Sequence, residues 1–282
     1  IYTAADWTKV GQVLAELQVG WLLAALVLFI PQTLVSAWRW QGLASGVATI
    51  SLAQAGRQTL AASAMNLVLP SKLGDLSKST MLPGAPPVKI AASLVIVEKG
   101  ADVAALLVLL TLGWLGGGAA SVALLSVAAL AIAVGCFSVS GPRNDDASPT
   151  GSWMNARRAT GLAASSLLLW TLHLAQFDLF FRAAGIEAAA NDVLARVPLA
   201  IFAGLLPFTL WGIGTRDTAL IWLFADMAAV PALAGVGLLT ALRYLVPGVA
   251  GLTVVRGEWA APGKRTQRAA TAHWVGSSKQ AA

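Results

Sequence analysis

Residues 103–142 form a run of forty without a single charge. A helix needs about 20 apolar residues to cross the hydrocarbon core of a bilayer, so this run is long enough for two crossings. Gly116, Gly117 and Gly118 divide it, which predicts a helical hairpin with one span ending near Trp114 and another over about 119–139. A second uncharged run of 22 residues separates Glu16 from Arg39. Trp21 opens it, and Trp38 and Trp40 bracket Arg39 at its end. Tryptophan prefers the headgroup level and arginine snorkels towards phosphate, so both ends of this span read as interfacial anchors.

Composition points the same way. The chain is 57% hydrophobic and 11% charged, against about 25% charged in an ordinary soluble domain. The mean hydropathy is +0.73. A net charge of +6 would suggest nucleic acid in a soluble chain. Here the basic residues fall in loops, tail and helix breaks, with no basic stripe interleaved with stacking aromatics, so nucleic-acid binding is excluded. Cys136 is the only cysteine, which leaves no intramolecular disulfide and no thiolate metal set. The only histidines are His173 and His273, and no Ser-His-Asp set, H-E-x-x-H, C-x-x-C or P-loop pattern is present. The chain reads as a non-enzyme without cofactor or metal, the alternative being an intramembrane transferase with Glu98 or Asp102 as its base. Nothing near Ile1 resembles a cleavable signal.

The fold class expected is all-α: a polytopic transmembrane bundle of about 6–8 hydrophobic segments. Two of these segments are broken. In MNLVLPSKLGDLSKSTML (65–82), Pro70 ends an apolar run, Gly74 loosens the chain, and Lys72, Asp75 and Lys78 follow within two turns. In LLPFTLWGIGTRDT (205–218), a proline, glycines and the Arg216-Asp217 pair recur in that order. The two prolines stand about half the chain apart, the pattern of a degenerate two-fold repeat with a re-entrant segment in each half. Residues 1–255 read as one membrane domain: a first half 1–140, a polar linker 141–158, and a second half 159–255. A basic, disordered tail follows over 256–282. By the positive-inside bias the tail and the linker are cytoplasmic, which makes 193–229 a hairpin or two short crossings.

Charges inside such a chain are costly and tend to be kept for a task. Glu98 and Asp102 are four apart and share a helix face, with Lys99 three before Asp102. Either they form an ion pair orienting the span, or they line a cavity with Lys72, Lys78 or Arg57 across helices. Arg57 itself either faces the interior or snorkels. His173, Gln176 and Asp178 are unusual in a span, and His173 reads as a hydrogen-bonded interior residue. A helix restarting after a break points free N–H groups at its N-terminus, where an anion suits and a cation costs about 0.3–1 kcal/mol. Lys72 and Arg216 at such positions point to an anionic guest, a phospholipid or polyprenyl-phosphate headgroup. Alternatively, Asp75 and Asp217 simply neutralise them. The candidate lipid- and anion-binding residues are Arg57, Asn66, Lys72, Asp75, Lys78, Glu98, Lys99, Asp102, Arg216, Asp217 and Arg243.

With these residues in view, the chain resembles the transmembrane, flippase-like family of the lysylphosphatidylglycerol synthases from about Trp21 to Arg256. The marks are Arg39-Trp40, then Asn66 with Leu69-Pro70 and Gly74-Asp75, then Glu98-Lys99 and Asp102. Leu206-Pro207 followed by Gly212, Gly214, Arg216 and Asp217 completes them. Asp217 and Lys78 depart from the family, which more often carries Glu and Arg there. The resemblance implies lipid translocation or lipid handling in a bacterial or archaeal cytoplasmic membrane. A second reading is a membrane subunit presenting lipid to a separate glycosyltransferase or lipid-modifying synthase. The soluble aminoacyl-transferase domain of the full synthases has no counterpart in these residues, so lysyl transfer is not expected.

Overall fold

The computed structural model describes residues 6–84, 86–116, 155–205 and 214–278, of which 70–72 and 256–278 are described by their backbone alone. Every regular element among them is helical. Helix α1 (Trp7–Ala15) is short and amphipathic, with Val10 buried. The first span follows as α2 (Val19–Val27) and α3 (Phe29–Ala44). They meet at Leu28 because Pro31 has no N–H for the carbonyl of Val27. Together, residues 19–44 are long and apolar enough to cross a membrane. The span therefore runs five residues past Arg39, where the sequence placed its interfacial end.

Helix α4 (Leu52–Met65) begins at Ser51, whose hydroxyl accepts the Gln54 N–H at 3.2 Å. The sequence suggested one helix across 41–70. Instead residues 41–44 finish α3, and the Ser51 cap starts a new helix. The first break is a 3₁₀ segment (Pro70–Leu76) running into a single turn, α5 (Ser77–Thr80). Helix α6 (Val88–Trp114) has 27 residues, about 40 Å at 1.5 Å per residue. It ends before Gly116, whose φ of +74° favours glycine.

The second half opens with α7 (Ala156–Ala183), capped by Asn155, which accepts the Arg158 N–H at 2.9 Å. Helices α8 (Ala190–Gly204) and α9 (Thr215–Leu223) follow and pack on each other. With 15 and 9 residues, each is shorter than a full crossing of about 20. Helix α10 runs from Val230 to Ser278, and its part up to Val255 is a second stretch able to cross a membrane. The backbone of 256–278, read from sequence as the start of a disordered tail, continues this helix. The hairpin's second span, Cys136, the linker up to 154, and Leu206, Pro207 and Gly212 of the second break lie outside the described residues.

Two apolar cores hold the bundle. One gathers Leu106 and Leu109 of α6 with Phe177, Phe180, Phe181, Val197, Leu220 and Leu233 from α7–α10. The other joins Trp40 and Leu43 of α3 to Ile50, Ala55, Leu82, Leu94 and Val95. Helix α6 passes through both, and its charged residues 98–102 lie between them. Helices α4 and α10 are pressed together: a Cβ on Gly251 would sit 1.9 Å from the Leu60 carbonyl oxygen. Small residues permit such backbone approach between helices in lipid. The outside is apolar. Leu23, Val27, Ile30 and Leu34 form one stripe along α2 and α3, each more than half exposed, while Gln32 and Arg39 are buried behind them. A bundle with charges inside and leucines outside suits a lipid solvent.

Candidate functional site

The spacing of four between Glu98 and Asp102 puts both carboxylates on the buried face of α6, and α3 supplies their cation. The Arg39 guanidinium donates to Glu98 Oε1 at 2.8 Å and to Asp102 Oδ1 at 2.5 Å, and a third hydrogen bond reaches Ser166 Oγ on α7 at 2.9 Å. Lys78, from the turn after the first break, reaches Glu98 Oε2 at 2.5 Å. Lys99 pairs with Asp75 of the 3₁₀ segment and lies 3.5 Å from Asp102. The Trp170 indole donates to Asp102 Oδ1 at 3.0 Å, and Asn66 on α4 donates to Asp75 Oδ1 at 2.9 Å. Arg39, Lys78 and Lys99 thus stand against Asp75, Glu98 and Asp102, three cations with three carboxylates. Desolvation makes a buried charge tolerable only when it is paired and hydrogen-bonded, and this network meets that condition.

Neutral residues brace it. Trp40, fully buried, donates to Gln58 Oε1 at 2.7 Å, and Gln58 donates to the Met81 carbonyl at 2.8 Å. That chain ties α3 and α4 to the end of α5, and so fixes Lys78, whose ammonium also lies 4.8 Å from the Trp40 ring centroid. Gly74 brings the break against α4. A Cβ there would lie 2.6 Å from Asn66 N and 2.8 Å from the Ala62 carbonyl oxygen.

The cluster forms one wall of a cavity of about 140 Å³, completed by residues of α4, α7 and α10 that include Ser63, Trp170, His173, Arg243 and Tyr244. This volume is room for on the order of ten waters. Seven of the candidates named from sequence line it: Asn66, Asp75, Lys78, Glu98, Lys99, Asp102 and Arg243. His173 lines it too, tilted against Trp170 with the ring centroids 5.1 Å apart. Arg57 does not, and sits on the exposed face of α4; of its two readings, the interior one is not what the structure holds. The Lys72 side chain lies outside the described residues.

Arg216 and Asp217 are also placed elsewhere. Both are buried, and neither lines the cavity. The Arg216 guanidinium binds Asp217 Oδ1 at 2.9 Å and the Gly237 carbonyl of α10 at 3.3 Å. Asp217 in turn accepts the Gly214 N–H at 3.3 Å, at a backbone turn with φ of +106°. The Asp217 carboxylate thus answers both the Arg216 cation and a free N–H of the helix start.

Sequence reasoning missed Arg39 and Trp40 as interior residues. Two carboxylates and one lysine within 98–102 left a cation to be found, and Arg39 was at hand. Its tryptophan neighbours drew the reading to the interface instead. Gln32, in the middle of the first uncharged run, was a further signal. It donates to Gln176 Oε1 at 3.3 Å, and Gln176 donates to the Ala25 carbonyl at 2.8 Å.

An apolar helical bundle enclosing a cavity lined by ion pairs defines a polytopic integral membrane protein with a polar interior site. The chain belongs to the family described as the lysylphosphatidylglycerol synthase TM region, whose family model matches residues 1–251. It is a family of membrane domains tied to lipid handling, and the match is to that membrane region rather than to a transferase domain. No curated protein and no solved structure matches the chain.

Proposed function

We propose that this protein takes lipids with an anionic headgroup into the charged cavity and moves them between leaflets of the cytoplasmic membrane, making and breaking no covalent bond. The observation that carries this reading is the position of the cavity. It is lined by ion pairs, lies between two apolar cores, and is built partly from a broken segment whose backbone need not span the bilayer. Irregular backbone is tolerated at membrane depth only inside protein or along a polar cavity. Ionised groups there supply what a phosphate loses on leaving the headgroup layer. The excess of basic residues over 256–282 supports a cytoplasmic C-terminal end.

The test is reconstitution of the purified protein into phosphatidylcholine liposomes carrying fluorescent phosphatidylglycerol, with a reagent outside that quenches only the outer leaflet. The reading expects the protected inner-leaflet fraction to fall relative to protein-free liposomes, and Glu98→Gln to restore protection. Protection unchanged from protein-free liposomes contradicts translocation. Binding without movement would favour the second reading, in which the protein presents lipid to a separate glycosyltransferase or synthase.

A further inference from the structure

Seven charged side chains line the cavity: Arg39, Lys78, Lys99 and Arg243 against Asp75, Glu98 and Asp102. Four cations less three carboxylates leave one positive charge. The ion pairs show where it resides, because Arg39, Lys78 and Lys99 each hold a carboxylate. Arg243 makes no ion pair among the described residues. Its guanidinium carbon lies 4.6 Å from the centroid of the Phe177 ring, and its Nε is buried with no hydrogen-bond partner among those residues. An aromatic face offsets part of the desolvation of a guanidinium without neutralising it. The planar fork of arginine matches a phosphate with two parallel N–H···O bonds.

We infer that Arg243 is the specificity-determining cation of the cavity, receiving the phosphate of an anionic headgroup while the three-against-three cluster stays paired. This rests on the cavity being a headgroup site, as proposed above. An anion binding to Lys78 or Lys99 would first have to displace a carboxylate and strand it in low dielectric; at Arg243 it displaces nothing. The cavity, of about 140 Å³, has room for a phosphate group.

The chemistry recognised is a phosphate monoester or diester, whether free or on a lipid, and two probes separate the sources. One is glycerol 3-phosphate added to the detergent-solubilised protein, with binding followed by titration calorimetry. The other is phosphatidylcholine vesicles with and without phosphatidylglycerol, followed by the translocation assay. Arg243→Gln is expected to weaken whichever probe the wild type binds by about tenfold or more, the loss of a charge-assisted hydrogen bond. Arg57→Gln, at an exposed position, is expected to bind as the wild type does.

If the wild type responds to phosphatidylglycerol alone, the guest is the lipid headgroup; if to both probes, the phosphate group itself suffices. Wild-type affinity in folded Arg243→Gln overturns the assignment and leaves the proposed function standing. A wild type that responds to neither probe overturns the proposed function first. Should the Gln variant not fold, Arg243→Lys carries the test, since it keeps the charge and loses the fork; it is expected to bind severalfold more weakly, and unchanged affinity there overturns the assignment.

Discussion

Arg39 and Glu98, 59 residues apart in the chain, are joined at 2.8 Å with side chains 2% and 0% exposed. Because the same guanidinium holds Asp102 at 2.5 Å, one cation on α3 answers two carboxylates on α6. Removing one partner of a buried pair strands the other at about 3–5 kcal/mol. Arg39→Gln is therefore expected to lower thermal stability by at least that much, read as a fall in melting temperature or in folded yield after detergent extraction. A loss below about 1 kcal/mol, the range of exposed ion pairs, would place Arg39 at the surface.

Arg57 provides the contrast. Sequence alone left it open between interior and interface, and it is exposed on α4. Arg57→Gln is expected to change stability by no more than about 0.5 kcal/mol, as surface substitutions usually do. Equal damage from Arg57→Gln and Arg39→Gln in the same melting experiment would contradict this placement.

The difference between these two arginines shows how far the sequence could be read. The long helices were legible because their signal is local. The helix ending near Trp114 and the span holding His173, Gln176 and Asp178 announce themselves through apolar runs. The face shared by Glu98 and Asp102 follows from helix geometry alone. What faces them does not, since Arg39 and Trp40 look the same in sequence whether they meet lipid headgroups or a carboxylate on another helix. At the second break Arg216 pairs with Asp217, the next residue, and neither lines the cavity; that placement, too, was not legible from the spacing.

Asp217 carries a prediction of its own. Asp217→Asn leaves the buried Arg216 uncompensated and is expected to cost about 3–5 kcal/mol of stability. Whatever fraction folds should discriminate anionic from zwitterionic lipid as the wild type does, because this pair does not line the cavity. Lost discrimination in a variant that melts normally would contradict that separation.

Gly74 tests the seat of the first break. A Cβ there meets backbone and side-chain atoms of Asn66 at 2.6 Å, so Gly74→Ala must push the 3₁₀ segment away from α4. Overpacking of this kind costs about 1–3 kcal/mol. It should also loosen the Asp75–Lys99 pair, raising the labelling rate of a cysteine introduced at Ser77 by a water-soluble thiol reagent. Unchanged stability together with unchanged labelling would mean the segment is not held by this contact.

Trp170 links the ion cluster to α7 through its 3.0 Å bond to Asp102. Trp170→Phe keeps most of the ring and removes the donor. Hydrogen bonds to charged groups are worth about 1.5–3 kcal/mol, and a destabilisation of that size in thermal melts is the expected outcome. A neutral effect would show that Arg39 and Lys99 satisfy Asp102 without it.

A hydrated cavity that receives anionic headgroups is tested by a cysteine at Ser63, which lines the cavity. Ser63→Cys protein is placed in nanodiscs of phosphatidylcholine alone or with phosphatidylglycerol, and modification by a small water-soluble thiol reagent is timed. Labelling is expected to be ready in phosphatidylcholine and slower once the anionic lipid is present, with Arg243→Gln abolishing the difference. Labelling that is absent in both membranes, or equally fast in both for the Arg243 protein, would contradict it.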